Sequence, residues 1–413
     1  MARLADRSDL EKDRTGTHEL RVVDAAEIGE VRAAVRKALN GGPAVLPKDA
    51  RAVRIRTPAT GSGTELPTHV DTAVAVVIET SGSSGTPKRV ALSRDALGAS
   101  GEAAHHHLGG PGQWLLALPL TYIAGISVLV RSVLADTEPV ILRSGHFHPP
   151  SFVDSVRQLT GERRYTSLVP VQLARLVEFA EDDNYRASAG DIAQLDAILI
   201  GGQALEPTLA ARARALGWNV VATYGSSETA GGCVYDGVAL SGVEVQIGDH
   251  ETREVWIGGP TLALGYLGDS IQSADPFVTR GETRWYRTGD SGEVVDGRLQ
   301  ILGRLDRVII SGGLKISLEA VEAAARSVKG AADAVAVSIP DSEWGQSPAL
   351  IVPGMPATPD RDDFDDQLYE TVVLALGRAA APRIIRHVES LPRLSSGKVD
   401  LLAVSQILRE CDE

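Results

Sequence analysis

The stretch from Thr80 to Lys88, Thr-Ser-Gly-Ser-Ser-Gly-Thr-Pro-Lys, gathers groups that can hold a phosphate chain. Gly82 and Gly85 let the backbone turn its N–H groups towards an anion, Thr80, Ser81, Ser83, Ser84 and Thr86 add hydroxyl donors, and Lys88 adds a charge. The pattern is not Gly-x-x-x-x-Gly-Lys-Ser/Thr, because Lys88 follows a proline and precedes Arg89, so a kinase or GTPase loop is disfavoured. Four further clusters carry chemistry. Tyr224-Gly-Ser-Ser-Glu-Thr229 offers an aromatic face and a carboxylate, and Tyr286-Arg-Thr-Gly-Asp290 places a carboxylate after what reads as a tight turn. Gly303 to Gly313 brings together Arg304, Asp306 and the Gly312-Gly313 pair, and Leu394-Ser-Ser-Gly-Lys398 sets a lysine on a loop.

The elements that must position these groups follow from the apolar pattern. Ala73 to Ile78 is a β-branched apolar run, read as a buried strand feeding the phosphate loop, and a helix is expected from Ser93. Helix-like and strand-like segments then alternate: strands at Trp114–Leu118, Val140–Leu142, Thr166–Val169, Ala197–Ile200 and Val220–Tyr224, with helices near Val31–Leu39, Val171–Ala180 and after Glu206. That rhythm implies mostly parallel sheet covered by helices, with ligand groups at the strand ends. Beyond Gly231 short alternating strands and the Asp296-Gly297 turn point to a β subdomain. Past Arg304 a compact α+β unit is expected, with strands at Val308–Ile310, Ala334–Ile339 and Ala349–Val352 and helices at Ser317–Ser327 and Phe364–Arg378. The expected organisation is a charged, disordered N-terminus over 1–24, a large α/β domain over 25–305 and a small mobile α+β domain over 306–413.

Composition sets limits on function. With 413 residues, 43% of them hydrophobic, the chain can bury large cores, and its net charge of -13 disfavours general affinity for nucleic acid or anionic membrane. Cys233 and Cys411 are too few for a disulfide framework, which fits a cytoplasmic protein. No run reaches the roughly twenty apolar residues of a membrane span. His105, His106 and His107 are adjacent on an expected helix, where their side chains diverge and do not converge on one ion.

In this order, the clusters resemble the adenylate-forming superfamily of acyl-CoA synthetases, peptide-synthetase adenylation domains and luciferases, from Thr80 to Lys398. The resemblance implies two domains with an active site between them and two half-reactions: carboxylate and MgATP give acyl-adenylate, and a thiol, usually of coenzyme A, then displaces AMP. It implies that Thr80 to Lys88 hold phosphates, that Gly201, Gly202 and Gln203 wall the adenine, and that Tyr224, followed by Gly225, stacks on it. Ser227 stands where threonine is usual, and Glu228 would bind Mg²⁺. Asp290 would accept bonds from the ribose hydroxyls, Arg304 would help hold ribose or phosphate, and Lys398 would stabilise the adenylation transition state. Asp306 takes the hinge position, and Gly312 and Gly313 would meet the pantetheine arm in the thioester step.

The segment Ala117–Ser132 and the short length look most like the o-succinylbenzoate-CoA ligases of actinobacterial menaquinone synthesis. A CoA ligase for another aryl or acyl acid, a stand-alone enzyme loading a carrier protein, and a non-catalytic nucleotide-binding relative are the alternatives. Tyr122 stands where many relatives carry histidine on the path to the acyl site. Arg131 interrupts an apolar helix and either faces the acyl pocket, where it needs an anion, or snorkels at a surface edge. The implied partners are therefore a small carboxylic acid, ATP and CoA, in a protein compatible with a homo-oligomer.

Overall fold

The computed structural model describes residues 16–49, 66–80, 88–142, 147–268, 276–354, 361–393 and 399–409. The chain forms two compact units, one of Met1–Gln246, Trp256–Thr288 and Val294–Leu299, the other of Ile247–Val255, Gly289–Glu293 and Gln300–Glu413. Residues 247–255 and 289–293 therefore group with the second unit and not with the residues around them in sequence. Bonds such as Gly292 N–H to the Arg253 carbonyl (2.9 Å) and Arg304 to Asp290 (3.0 Å) hold them there.

The first unit contains two sheets. One has seven strands in the order Val238–Ala239, Gly231–Tyr235, Val220–Ser226, Ala197–Ile200, Arg164–Leu168, Gln113–Leu116, Val140–Ile141. From Val220–Ser226 onward every pairing is parallel, and the first two strands add antiparallel. Ala197–Ile200 is apolar at every position and wholly buried, the pattern of a strand covered on both faces. One cover is the helix Pro170–Glu181, which buries Leu173, Leu176, Val177 and Ala180 at helical spacing and starts on a proline whose missing N–H has no partner to lose. Trp218 closes this core, its indole N–H donating to the Ala189 carbonyl at 3.0 Å.

The other sheet has six strands, in the order Gly265–Tyr266, Lys88–Ser93, Val74–Thr80, Ala44–Lys48, Thr17–Asp24, His69–Asp71. Two features differ from the sequence reading. Thr17–Asp24, expected within a disordered tail, is a strand parallel to Ala44–Lys48 that buries Leu20 and Val23 while its charged residues face outward. Lys88 does not lead straight into a helix: it opens the strand Lys88–Ser93, which pairs antiparallel with Val74–Thr80 in the register Thr80↔Lys88. The expected helix follows, Arg94–His107, with the Ser93 hydroxyl accepting from Ala96 N–H at 3.0 Å as its N-cap.

The Asp296-Gly297 turn forms as read, with φ of 50° and 75°, joining the strands Thr283–Val295 and Arg298–Arg304. The second unit's sheet orders Leu314–Ser317, Val308–Ser311, Gly345–Pro353 and Val335–Asp341, with Ile384–Val388 pairing parallel to Gly345–Pro353. The helix Leu318–Arg326, capped by the Ser317 hydroxyl at 3.2 Å, packs Val321 and Ala325 into its core.

Candidate active site

In the first unit the candidate groups collect at the carboxyl ends of neighbouring parallel strands. Ala197–Ile200 runs into Gly201 and Gly202, and Val220–Ser226 runs into Ser227, Glu228 and Thr229, with Ala222 in register with Ile200. A Cβ on Gly201 would lie 2.6 Å from the Thr223 hydroxyl, so only glycine lets the two strand ends lie this close. Gly202 and Gln203 are exposed beyond it, and Tyr224 is half-buried at the neighbouring strand end.

The carboxylate turn is held by its own hydroxyls. Ser226 Oγ accepts from Glu228 N–H at 3.2 Å, and Ser226 N–H donates to Thr229 Oγ1 at 2.9 Å. A Cβ on Gly225 would meet the Gly231 carbonyl oxygen at 2.2 Å, which explains the glycine. Ser227 and Glu228 are both buried. One Glu228 carboxylate oxygen accepts from the Tyr266 hydroxyl at 2.9 Å, and no basic side chain pairs with this carboxylate among the described residues. A buried acid with one neutral donor and spare lone pairs fits a hard cation. No cluster of three or more His, Cys, Asp or Glu suited to a metal exists among the described residues, so such a cation would complete its shell with nucleotide oxygens and water.

Thr80 and Lys88 are the described ends of the phosphate stretch, with the Thr80 hydroxyl reaching the Lys88 carbonyl at 3.5 Å. Ser81, Gly82, Ser83, Ser84, Gly85 and Thr86 lie outside the described residues, as does Lys398. Behind the strand, Glu79 accepts from Lys48 Nζ at 2.9 Å and Arg89 Nε at 3.2 Å. Burial works to raise its pKa, and these two cations outweigh burial and hold it below the ordinary carboxylate value.

Tyr122 precedes the helix Ile123–Leu134, and its carbonyl accepts from Gly125 and Ile126 N–H at 3.1 and 3.2 Å. One turn on, Ser127 is buried against Gly231, where a Cβ would lie 2.7 Å from its hydroxyl. Arg131 is not at a surface edge: it is 3% exposed, and its Nη2 donates to the Tyr235 hydroxyl at 3.0 Å. Its guanidinium lies 4.9 Å from the Trp114 ring centre. Its Nε has no partner, and no carboxylate pairs with it among the described residues. Ser100, Ser127 and Ala230 help close this space, which leaves no room for a water. His105 is buried nearby, its pKa lowered to about 4 first by burial and then by the charge of Arg131.

The second unit brings three of the other candidates together. Arg304 donates to Asp290 Oδ1 through Nη1 at 3.0 Å and grips both oxygens of Asp306, through Nε at 3.1 Å and Nη2 at 3.0 Å. These hydrogen bonds hold the Asp306 carboxyl below its ordinary value, against the effect of burial. Asp290 does not follow a tight turn as read from sequence. It lies within the single strand Thr283–Val295, where Gly289 takes a positive φ of 70° and so mimics turn chemistry. Gly312 and Gly313 form the two-residue turn between Val308–Ser311 and Leu314–Ser317, with φ of 56° and 82°. Gly312 N–H donates to the Trp344 carbonyl at 3.0 Å, and a Cβ there would meet the Trp344 ring at 2.4 Å. Sequence reasoning did not find Tyr266, Tyr235 or Trp344, since each meets its partner only through pairing of distant segments.

The AMP-binding enzyme family matches residues 7–267, and the AMP-binding enzyme C-terminal domain matches residues 320–398. The chain belongs to the AMP-binding enzymes. Among curated relatives, this AMP-binding enzyme is 41% identical over 350 residues to the probable 2-succinylbenzoate–CoA ligase of Mycobacterium tuberculosis, covering 83% of this chain and 87% of that one. Among solved structures, the amide bond synthetase McbA from Marinactinospora thermotolerans is 26% identical with a TM-score of 0.70, over 94% of this chain and 80% of that one. The o-succinylbenzoate CoA synthetase of Bacillus subtilis, solved with its acyl-adenylate intermediate, shares the fold at a TM-score of 0.69, with 23% identity over 92% and 81% of the two chains.

Proposed function

We propose that this AMP-binding enzyme is the ligase that converts o-succinylbenzoate to o-succinylbenzoyl-CoA for menaquinone synthesis. Its similarity to the mycobacterial ligase over most of both chains supports the substrate. The observation that carries the chemistry is Glu228, a buried carboxylate with no cation partner among the described residues, at the end of the strand that presents Tyr224. In the first half-reaction a carboxylate oxygen of the acid attacks the α-phosphorus of ATP and pyrophosphate leaves. In the second, the thiol of CoA attacks the acyl carbonyl and AMP leaves.

In this reading Thr80 and Lys88, with Ser81 to Thr86 between them, hold the phosphates. Gly201, Gly202, Gln203, Tyr224, Gly225 and Ser227 frame the nucleotide. Glu228 holds Mg²⁺, which when bound neutralises phosphate charge. Asp290 takes the ribose hydroxyls, and Arg304 orients Asp290 through the ion pair it makes. Lys398 stabilises the charge of the adenylation transition state. Asp306 is the pivot between half-reactions and Gly312–Gly313 serves the thioester step. Tyr122 lines the acyl path, and Arg131 answers the substrate's ring carboxylate, for which its unpaired Nε and lack of any carboxylate partner among the described residues argue. For direct contact the Ser127 and Ala230 wall has to give way.

The test is pyrophosphate release by the purified protein with MgATP and a panel of carboxylic acids, with and without CoA. Release should be fastest with o-succinylbenzoate, and thioester should form only with CoA. Activation of another aryl acid but not of o-succinylbenzoate would overturn the substrate assignment.

A further inference from the structure

We infer that Tyr266 is a positioning residue that ties the metal carboxylate to the phosphate lysine; this rests on the reading of Glu228 and Lys88 above. The two ends of its side chain reach both groups. The hydroxyl donates to Glu228 Oε1 at 2.9 Å, and the ring lies 5.2 Å from Lys88 Nζ. The first contact fixes which carboxylate oxygen stays open to a cation, and the second holds a flexible ammonium over an aromatic face.

Backbone pairing explains how Tyr266 comes to this point. Gly265–Tyr266 pairs antiparallel with the strand that Lys88 opens, Tyr266 against Val90 and Gly265 against Ala91. Leu264 and Leu267 N–H donate to the Ala91 and Arg89 carbonyls, each at 2.8 Å. Ala263 N–H donates to the carbonyl of Glu228 itself, also at 2.8 Å. The short strand is therefore bonded through its backbone to both of the segments its tyrosine joins. Arg284 braces it from the other side, donating to the Ala263 and Leu264 carbonyls at 2.6 and 2.9 Å. A tyrosine that only filled space would not need both its hydroxyl and its ring face engaged by the two charged groups assigned to one ligand.

The test is calorimetric titration of ATP into the full-length protein with no acid present, in magnesium and in EDTA. Tyr266→Phe keeps the ring and loses the hydroxyl, so the gain in ATP affinity from magnesium should shrink about tenfold while affinity in EDTA stays parental. Tyr266→Leu loses the ring as well and should also weaken binding in EDTA. Glu228→Gln should abolish the magnesium gain, and adding Tyr266→Phe to it should then change nothing further. Melting curves establish that each variant is folded. A parental magnesium gain in Tyr266→Phe, or equal weakening in magnesium and EDTA, would overturn the inference while Glu228→Gln still upheld the metal reading. An unchanged magnesium gain in Glu228→Gln would instead overturn that reading, and the positioning role with it.

Discussion

Replacing Arg131 by methionine should move stability and substrate binding in opposite directions. The guanidinium is 3% exposed with one hydrogen bond, to Tyr235, one aromatic face, Trp114, and no carboxylate partner among the described residues. Exchanging a buried ion pair for well-packed apolar groups of similar volume is often neutral or stabilising by about 1–4 kcal/mol, and a buried guanidinium without a carboxylate partner has no ion-pair energy to lose. Against this, the substitution orphans the Tyr235 hydroxyl at about 1–3 kcal/mol and removes a cation–π contact of about 0.5–2 kcal/mol. The single variant should therefore melt near the parent. Arg131→Met with Tyr235→Phe removes the orphan and should melt higher, by about 2–4 °C for each kcal/mol recovered in a domain of this size class. Acid recognition should behave otherwise. Losing one partner of a desolvated charge pair costs about 2–5 kcal/mol, so the KM for o-succinylbenzoate should rise by a factor of tens to thousands with the KM for ATP nearly unchanged. The assays are thermal melting and pyrophosphate release, with o-succinylbenzoate and with an analogue lacking the ring carboxylate. A single variant that melts far below the parent and loses both acids and ATP alike would refute the reasoning and make Arg131 a fold residue.

The buried His105 titrates near pH 4 in the folded chain, below its ordinary value of 6.5, so the unfolded chain takes up its proton first; stability is fully present above about pH 6.5 and lost as pH falls towards 4. His105→Gln should flatten the melting temperature over that window, and an unchanged slope would assign the loss to other groups. Gly312→Ala should destabilise more than Gly313→Ala, since both need positive φ but only the first drives a methyl into Trp344, while the second meets open space. Equal melting shifts would remove the steric argument. Lys398→Ala should slow pyrophosphate release by orders of magnitude yet still turn supplied acyl-adenylate into thioester; equal loss of both steps would contradict a role confined to adenylation.

Local chemistry was legible where one segment decides its own structure. Ala197–Ile200 is apolar throughout and could only be a covered strand, and Asp296-Gly297 takes the two positive φ values its residue types allow. Lys88–Ser93 was not legible as a strand, because its two leading charges continue the polar loop and only pairing with Val74–Thr80 reveals it. Thr283–Val295 is not legible as one strand, because Gly289 and Gly292 interrupt its apolar pattern. At the site the residue types were visible but their partners were not. The sequence shows no link among Asp290, Arg304 and Asp306, whereas one guanidinium binds both aspartates. Tyr266 lies 38 positions from Glu228 and carries no signal until a two-residue strand places it.

An acidic chain that holds a polyphosphate has to confine its attraction to one place. The net charge of -13 is spread over the whole chain, and at physiological salt charges separated by more than about 8 Å are largely screened. Contact charges are felt far more strongly, at about 4 kcal/mol for a pair 4 Å apart near a protein surface. Lys48, Lys88 and Arg89 all lie on the strands beside the phosphate stretch, but Glu79 engages Lys48 and Arg89. Lys88 has no carboxylate partner among the described residues and rests over Tyr266. On the reading proposed above, Glu79, by binding these two cations, would keep them from competing for the phosphates, and the attraction would fall on the lysine whose ring support is also bonded to Glu228. On the same reading, cation and carboxylate are set by one tyrosine, and charge placement, not net charge, would govern nucleotide capture.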